Sequence, residues 1–227
     1  VGFEESRSYY DDPSKVVVTG NPLRADFFSV DKAQARRELG LDNRPMVLSF
    51  GGSLGAEHIN EAILGVLQKS VEGGHIQQIH ATGKAAYEKF CAKMKEKRLP
   101  LDRDGISVRE YIDDMPRCMA AADLVICRCG AMTLSELPAA GKPSILIPSP
   151  YVAENHQYHN AMALVDKGAA LCIEEKELTA ESLWEALCQL MDTPDKLRRM
   201  GECARGCAIL DASERIYAVI EEVLQNR

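Results

Sequence analysis

The stretch "ADLVICRCGAMTLSELPAAGKPSILIP", from Ala122 to Pro148, contains one complete unit of the pattern that decides the fold. The apolar run "ADLVIC" is followed by a helical segment near 132–140 and then by a second apolar run, "PSILIP". Two short apolar runs with a helix between them are typical of a strand, a crossover helix and a parallel strand. The stretch therefore predicts one βαβ unit.

The same alternation continues in both directions along the chain. Strands are predicted at 15–20, 45–50, 75–83, 105–112, 122–127, 143–148 and 169–174. Helices are predicted at 31–39, 56–70, 85–97, 114–121, 132–140, 156–167, 179–191, 194–207 and 212–225. This order predicts an α/β fold with a parallel sheet, in which ligands bind at loops that leave the carboxyl ends of the strands.

Composition limits the class of protein. The chain has 227 residues, 46% of them hydrophobic and 27% charged, as in ordinary soluble globular proteins. Its net charge of −7 argues against a broad nucleic-acid surface, because phosphate binding needs a basic face. No apolar run reaches the roughly 18 residues of a membrane-spanning helix, and no secretory leader precedes the first strand. Since the chain starts at Val1, we expect it to be part of a longer protein.

The eight cysteines raise the question of a metal or redox site. Cys127 and Cys129 form a C-x-C pair with no matching second pair, which fits zinc poorly. Most of the cysteines lie within apolar runs, where a reduced thiol packs as a small hydrophobic group. We therefore expect packing residues in a reduced cytosolic protein without disulfides.

The loop after the second predicted strand is rich in glycine. The sequence "GGSLGAEHIN", 51–60, leads from that strand into a helix and offers Ser53 as a hydroxyl donor. Helix N-termini of this kind bind phosphate groups. A tight turn with a serine cap uses the same residues, so the pattern leaves both interpretations open.

Two polar residues follow the C-x-C turn. Thr133 and Glu136 have the spacing of a capping box, and this is the interpretation that the pattern favours. In the alternative, Thr133 contacts a phosphate and Glu136 accepts hydrogen bonds from ribose hydroxyls. Pro138 is expected to bend this helix or to delay its start.

Amide and imidazole side chains cluster after "SILIP". Asn155, His156, Gln157, His159 and Asn160 lie around the start of a helix, and amides can read sugar hydroxyls because they both donate and accept. The alternative is a helix cap at Asn155 followed by a solvated face. A metal site at His156 and His159 is disfavoured, since no acidic or cysteine partner is evident.

Taken together, these loops resemble one family. The segments "VTGNPLR" (18–24), "GGSLGAEHIN" (51–60), "YIDDMPRCMAAADLVICRCGAMTLSE" (111–136), "AAGKPSILIP" (139–148) and "ENHQYHNA" (154–161) follow the order and spacing of MurG. That family comprises the peptidoglycan glycosyltransferases that add N-acetylglucosamine to lipid I to form lipid II. The resemblance covers nearly the whole chain. It implies a Rossmann-like sheet that forms the C-terminal, donor-binding domain of a GT-B glycosyltransferase.

The resemblance also implies roles for particular residues. Arg24 matches a donor-site arginine, Ser53 the diphosphate contact, and Ile112 the residue that binds uracil. Gln157 matches the residue that reads hydroxyls of N-acetylglucosamine, whereas His156 replaces a second glutamine of some relatives. The segment that wraps the nucleotide consists of Ala131, Met132, Thr133, Leu134, Ser135 and Glu136.

The implied chemistry is an inverting transfer from UDP-N-acetylglucosamine without a metal or other cofactor. The general base, the lipid I site and the patch that contacts the cytoplasmic membrane face are expected in an N-terminal half, so no catalytic residue is assigned here. Residues 1–20 are expected to be an interdomain strand or linker, 21–208 the donor domain, and 209–227 a helix that crosses back to the N-terminal half. Its apolar stripe is expected to be exposed, with packing on its own domain as the alternative.

Three other functions compete with this interpretation. One is another GT-B transferase or a UDP-sugar epimerase, which shares the uridine-binding helix. Another is a non-catalytic UDP-sugar-binding subunit that works beside a membrane-bound partner. The third is a nucleotide-binding domain of unknown ligand.

Overall fold

The chain forms one mostly parallel sheet with helices on both faces. A computed structural model describes residues 1–73 and 76–225. The strands are β1 Met46–Phe50, β2 Gln77–Ala81, β3 Asp102–Arg103, β4 Ile106–Arg109, β5 Leu124–Cys127, β6 Ser144–Leu146 and β7 Ala170–Cys172. The helices are α1 Asp26–Ser29, α2 Lys32–Glu38, α3 Glu57–Gly73, α4 Tyr87–Glu96, α5 Met115–Ala121, α6 Ala131–Ala139, α7 His156–Val165, α8 Ala180–Met191, α9 Pro194–Gly206 and α10 Ala212–Gln225.

The strand order defines a Rossmann-like topology. The sheet has seven strands in the order β3-β4-β2-β1-β5-β6-β7, and only the short β3 is antiparallel to its neighbour. Without β3, the strand order is that of a doubly wound dinucleotide-binding sheet. In such a sheet the first three strands are added towards one edge and the next three towards the other, so the strand order reverses between the first and fourth strands. The predicted fold class is confirmed, and the reversal lies between β1 and β5.

Strands β1 and β5 are largely apolar because both of their faces are buried. In β1, Met46, Leu48 and Phe50 face one hydrophobic cluster, whereas Val47 faces the other. Residues of α5, α6 and α7 complete the first cluster, and residues of α3, α4 and α8 complete the second. Helices on both faces hold the sheet rigid and leave the loops at the strand ends to form sites.

One predicted strand is wrong. Residues 16–20 belong to no strand, and a 3₁₀ turn at Pro13–Lys15 precedes them. Val1 donates to the carbonyl of Val17 at 2.8 Å and Thr19 donates back to Val1 at 3.0 Å, whereas the amide of Val16 donates to the carbonyl of Pro13 at 3.2 Å. A run of three valines has high strand propensity, but it needs a neighbouring strand to pair with. His75, the first residue of the predicted strand 75–83, lies outside the described residues.

The last helix extends from the domain with an exposed apolar face. Among its described residues Ala212 is the buried one, while Tyr217 and Leu224 are each 62% exposed. Of its apolar stripe, Ile220 and Val223 are 51% and 53% exposed whereas Ile216 and Val219 are half-buried, so the stripe packs on its own domain only in part. None of the helices described in the structure is both long and apolar enough to span a membrane.

Candidate functional site

A cleft of about 570 Å³ lies at the carboxyl edge of the sheet, where β1 and β5 diverge. Its walls come from the loops after β1, β5 and β6, from the start of α7 and from the turn after β7. A crevice at this reversal point is where open α/β sheets bind ligands. Of the residues that sequence reasoning selected, Ser53, Thr133 and Gln157 line it directly.

The glycine-rich loop forms one wall of the cleft. Helix α3 begins at Glu57, and the amide of Asn60 donates to the carbonyl of Ala56 at 2.9 Å. Ala56 therefore occupies the cap position, and the interpretation of Ser53 as a helix cap is wrong. Ser53 instead lies in the exposed turn of the loop and faces the cleft.

The loop keeps its shape by packing against the loop after β2. Gly55 has a φ of +79°, and a Cβ atom added to it would lie 2.0 Å from the carbonyl oxygen of Thr82. Only glycine combines this backbone conformation with so close an approach. The packing brings the exposed turn at Ser53 to the edge of the cleft.

Helix α6 points its N-terminus at the opposite wall. It begins at Ala131, and its cap residue is Gly130, which has no side chain to bind the first amides. Thr133 is thus the third residue of the helix, and the capping box with Glu136 does not form. Gly130 and Thr133 both line the cleft, so the uncapped amides and the positive end of the helix dipole lie at its wall.

Pro138 neither delays the start of α6 nor interrupts its middle. It is the penultimate residue of the helix, and Gly141 donates to its carbonyl at 2.9 Å just beyond the end. The proline therefore removes one intrahelical bond, the one to the carbonyl of Leu134, in the last turn only.

A second group of predicted residues lies along α6 beside the cleft. Asn21 donates to the Oγ of Ser135 at 2.9 Å, which fixes the segment 19–25 against the helix. Arg24 stacks over Phe27 at 5.7 Å and acts electrostatically on Glu136. Burial raises the pKa of Glu136, and the charge of Arg24 offsets this in part.

The other predicted residues differ in what they can offer to a ligand. Ile112 and Leu134 have side chains buried in the core, so a ligand can reach only their backbone. Ala131 and Met132 are exposed on the first turn of α6, and the side chain of Met132 is 48% exposed. Some of the predicted residues therefore line the cleft, others lie on the adjoining surface of α6, and the side chains of Ile112 and Leu134 are buried in the core.

Gln157 joins two loops of the cleft. Its Oε1 accepts from the amide of Cys129 at 3.3 Å and from the amide of Ser149 at 3.0 Å. Its Nε2 donates to no acceptor within residues 1–73 and 76–225. A ligand hydroxyl would therefore meet the amide nitrogen of Gln157 as a donor, because the oxygen is already occupied.

Three cleft residues were missed by sequence reasoning. Arg128 forms a close ion pair with Glu175, and His58 Nδ1 lies 3.0 Å from the same carboxylate. All three residues line the cleft. The available signal was Arg128 itself, a lone cation immediately after the central strand β5, whereas His58 and Glu175 follow no local pattern.

The C-x-C cysteines belong to the core beneath the site. Cys127 and Cys129 are both fully buried, and burial raises the pKa of each thiol well above its usual range. Neutral buried thiols pack as small hydrophobic groups, as expected. Among the described residues, no group of three or more His, Cys, Asp or Glu side chains could hold a metal ion.

Comparison with known proteins agrees with this geometry. The family model for the glycosyltransferase family 28 C-terminal domain matches residues 46–217. The UDP-N-acetylglucosamine–N-acetylmuramyl-(pentapeptide) pyrophosphoryl-undecaprenol N-acetylglucosamine transferase of Acetivibrio thermocellus is 43% identical over 228 residues, covering 100% of this chain and 61% of the relative. The transferase of the same name from Thermoanaerobacter sp. is 42% identical, covering 98% of this chain and 61% of the relative. The predicted resemblance is confirmed.

Solved structures give the same result. The crystal structure of Acinetobacter baumannii MurG superposes with a TM-score of 0.72 at 26% identity, covering 92% of this chain and 58% of that one. A UDP-N-acetylglucosamine 2-epimerase from Listeria monocytogenes has a TM-score of 0.69 at 16% identity, which shows a shared fold. The chain spans about three fifths of the length of the curated relatives it matches, namely 61%.

Proposed function

Because the chain belongs to the glycosyltransferase family 28 C-terminal domain family, we propose that it is the donor-binding part of an inverting N-acetylglucosaminyltransferase. The donor is UDP-N-acetylglucosamine and the acceptor is lipid I, so that the product is the peptidoglycan precursor lipid II. The observation that carries the proposal is the uncapped N-terminus of α6, which faces the cleft between β1 and β5. The printed names of the similar transferases support the choice of sugar and acceptor.

In this proposal the diphosphate lies between the glycine loop and the first turn of α6. Ser53 and Thr133 donate hydroxyl hydrogen bonds, and the α6 dipole stabilises the charge that develops on departing UDP. Glu136 accepts from the ribose hydroxyls, with Arg24 beside it. Ile112 binds uracil through its backbone, since its side chain is buried. The Nε2 of Gln157 donates to a hydroxyl of the sugar.

The rest of the reaction belongs to the longer protein. A general base must reach the acceptor hydroxyl, and we assign no such residue in this chain. Residues 1–20 and 209–227 are proposed to connect to the N-terminal half, and the exposed apolar face of α10 packs there. Residues 226–227 of that last segment lie outside the described residues. Lipid I binding and attachment to the cytoplasmic membrane face are proposed for that half.

Calorimetric titration tests the donor assignment. We expect saturable binding of UDP-N-acetylglucosamine that is tighter than binding of UDP-glucose, because the acetamido group adds contacts near Gln157. Glu136→Ala should weaken binding roughly tenfold or more, since a charged acceptor for the ribose is lost. Glu185→Ala, an exposed carboxylate change on α8, is the matched control and should bind as the wild type does. Equal affinities of the Glu136→Ala and Glu185→Ala variants would contradict the role of Glu136.

A transferase assay tests whether the general base and the acceptor site lie outside this chain. The isolated chain, incubated with UDP-N-acetylglucosamine and lipid I, should release no UDP above the blank, because the base and acceptor site lie elsewhere. Clear turnover by the chain alone would refute this part of the proposal.

A further inference from the structure

The floor of the cleft holds a buried carboxylate that joins side chains from three loops. The side chain of Glu175 is only 5% exposed, and it pairs with Arg128 on one oxygen and with His58 on the other. Arg128 follows β5, His58 lies in the first turn of α3, and Glu175 lies in a 3₁₀ turn after β7. A buried carboxylate requires such partners, because an isolated charge is costly away from water.

Arg128 is held on more than one side. Its Nη1 donates to the carbonyl oxygens of Ile147 at 3.3 Å and Pro148 at 3.1 Å, while its Nη2 donates to Glu175. A guanidinium has five N–H donors in a fixed plane, so these contacts define its orientation, and within the described part of the chain its Nε donates to no acceptor. The same side chain lines the cleft beside Gly130 and Thr133 at the N-terminus of α6.

We propose that Glu175 is a positioning residue, which holds the Arg128 guanidinium at the place where the diphosphate of a nucleotide donor binds. The inference rests on the proposed function, because the anion is the diphosphate of that donor. Planar, pre-oriented arginine suits phosphate better than a mobile cation does, since less side-chain freedom is lost on binding. Without the carboxylate, Arg128 keeps its charge and its Nη1 contacts with Ile147 and Pro148 but loses the charged partner that holds Nη2.

His58 supplies the second anchor of the carboxylate. It lies just after the glycine loop, and its side chain is 52% exposed. Its contact with Glu175 therefore connects the loop that carries Ser53 to the loop that carries Arg128. Both walls of the diphosphate region are therefore held in place by contacts with the buried carboxylate of Glu175.

Parallel titrations with UDP and uridine test the proposal. Glu175→Gln keeps the shape of the side chain but removes its charge, and it should weaken UDP binding roughly tenfold or more while uridine affinity changes less than about twofold. His58→Ala, at a half-exposed position that folding tolerates, should weaken UDP binding about two- to fivefold, again without affecting uridine. Glu174→Gln is the matched control, because its carboxylate is 40% exposed and pairs with Lys176 at 3.2 Å. Thermal unfolding of each variant confirms that it is folded.

The results of these titrations distinguish a positioning role of Glu175 from the proposed binding of the nucleotide donor. A loss restricted to UDP supports positioning of a diphosphate contact. Equal losses for UDP and uridine, or unchanged UDP affinity in both variants, overturn it in favour of a purely structural ion pair. If the folded wild type binds neither UDP nor uridine, the proposed function itself fails and the positioning role falls with it.

Discussion

Replacing Gly55 with alanine is expected to cost about 3 kcal/mol or more of unfolding free energy and to abolish UDP binding. The residue has a φ of +79°, a conformation that costs an alanine roughly 1–2 kcal/mol by itself. The new Cβ would also lie 2.0 Å from the carbonyl oxygen of Thr82, and a backbone atom cannot rotate away. The glycine loop would have to separate from the loop after β2, taking Ser53 with it. Urea unfolding and UDP titration measure the two effects.

Gly52→Ala provides the matched control in the same loop. Gly52 has a φ of +91°, but no atom lies within 4 Å of an added Cβ. The unfolding free energy of this variant should therefore fall only by the cost of backbone strain, roughly 1–2 kcal/mol. The difference between the two variants measures the close approach of the two loops. Equal stabilities would show that the loops can separate without cost.

The sequence predicts the sheet well where local pattern and tertiary context agree. The runs that became β1 and β5 are apolar except at Ser49, because helices cover both faces of these strands, and the apolar pattern reflects this burial. The valines at 16–18 have the same strand propensity, yet Val17 accepts from Val1, Val16 donates to Pro13, and no strand within residues 1–73 and 76–225 includes them. Propensity describes the residue, whereas a strand also requires a partner that local sequence does not specify.

Prediction of the site shows the same limit. The glycine loop and the first turn of α6 could be located because both directly follow predicted strands. The helix nevertheless begins at Ala131, because Ala131 and Met132 are good helix formers and the extended Gly130 can serve as its cap. The contacts of Glu175 with Arg128 and His58 join loops that are distant in the chain. Only the folded sheet brings those loops to one edge.

A buried histidine beneath the glycine loop should make the chain sensitive to acid. His80 is fully buried, and burial lowers its pKa from 6.5 to about 4. Its Nε2 lies 3.2 Å from the Oδ1 of Asn60, and its Nδ1 lies 2.9 Å from the Oγ and 3.2 Å from the carbonyl oxygen of Ser49. The partners fit a neutral ring that donates from Nε2 and accepts at Nδ1. Asn60 in turn donates to the carbonyl of Thr82 at 2.9 Å, beside Gly55.

The direction of the pH effect follows from the two pKa values. The unfolded chain, in which the pKa of His80 is about 6.5, binds a proton more readily than the folded chain does. The stability contribution of the neutral ring is therefore complete above pH 6.5 and is lost as the pH falls towards 4. The difference between the two pKa values corresponds to a total of about 3 kcal/mol.

Urea unfolding at pH 7 and pH 4.5 measures the loss of unfolding free energy. Comparison with a variant that lacks the imidazole separates the contribution of His80 from that of other groups that titrate in the same range. Between these pH values the wild type should lose about 2 kcal/mol more than His80→Gln, which has no imidazole to protonate. His156→Gln removes an exposed imidazole, whose Nδ1 lies 3.0 Å from the carbonyl of Ala153, and should follow the wild type. If the wild type and His80→Gln lose equal stability, His80 is not the acid-sensitive group. Because protonation places a charge on a buried ring and turns Nδ1 from an acceptor of the Ser49 hydroxyl into a donor beneath the glycine loop, UDP affinity should fall over the same pH range in the wild type, and less in His80→Gln.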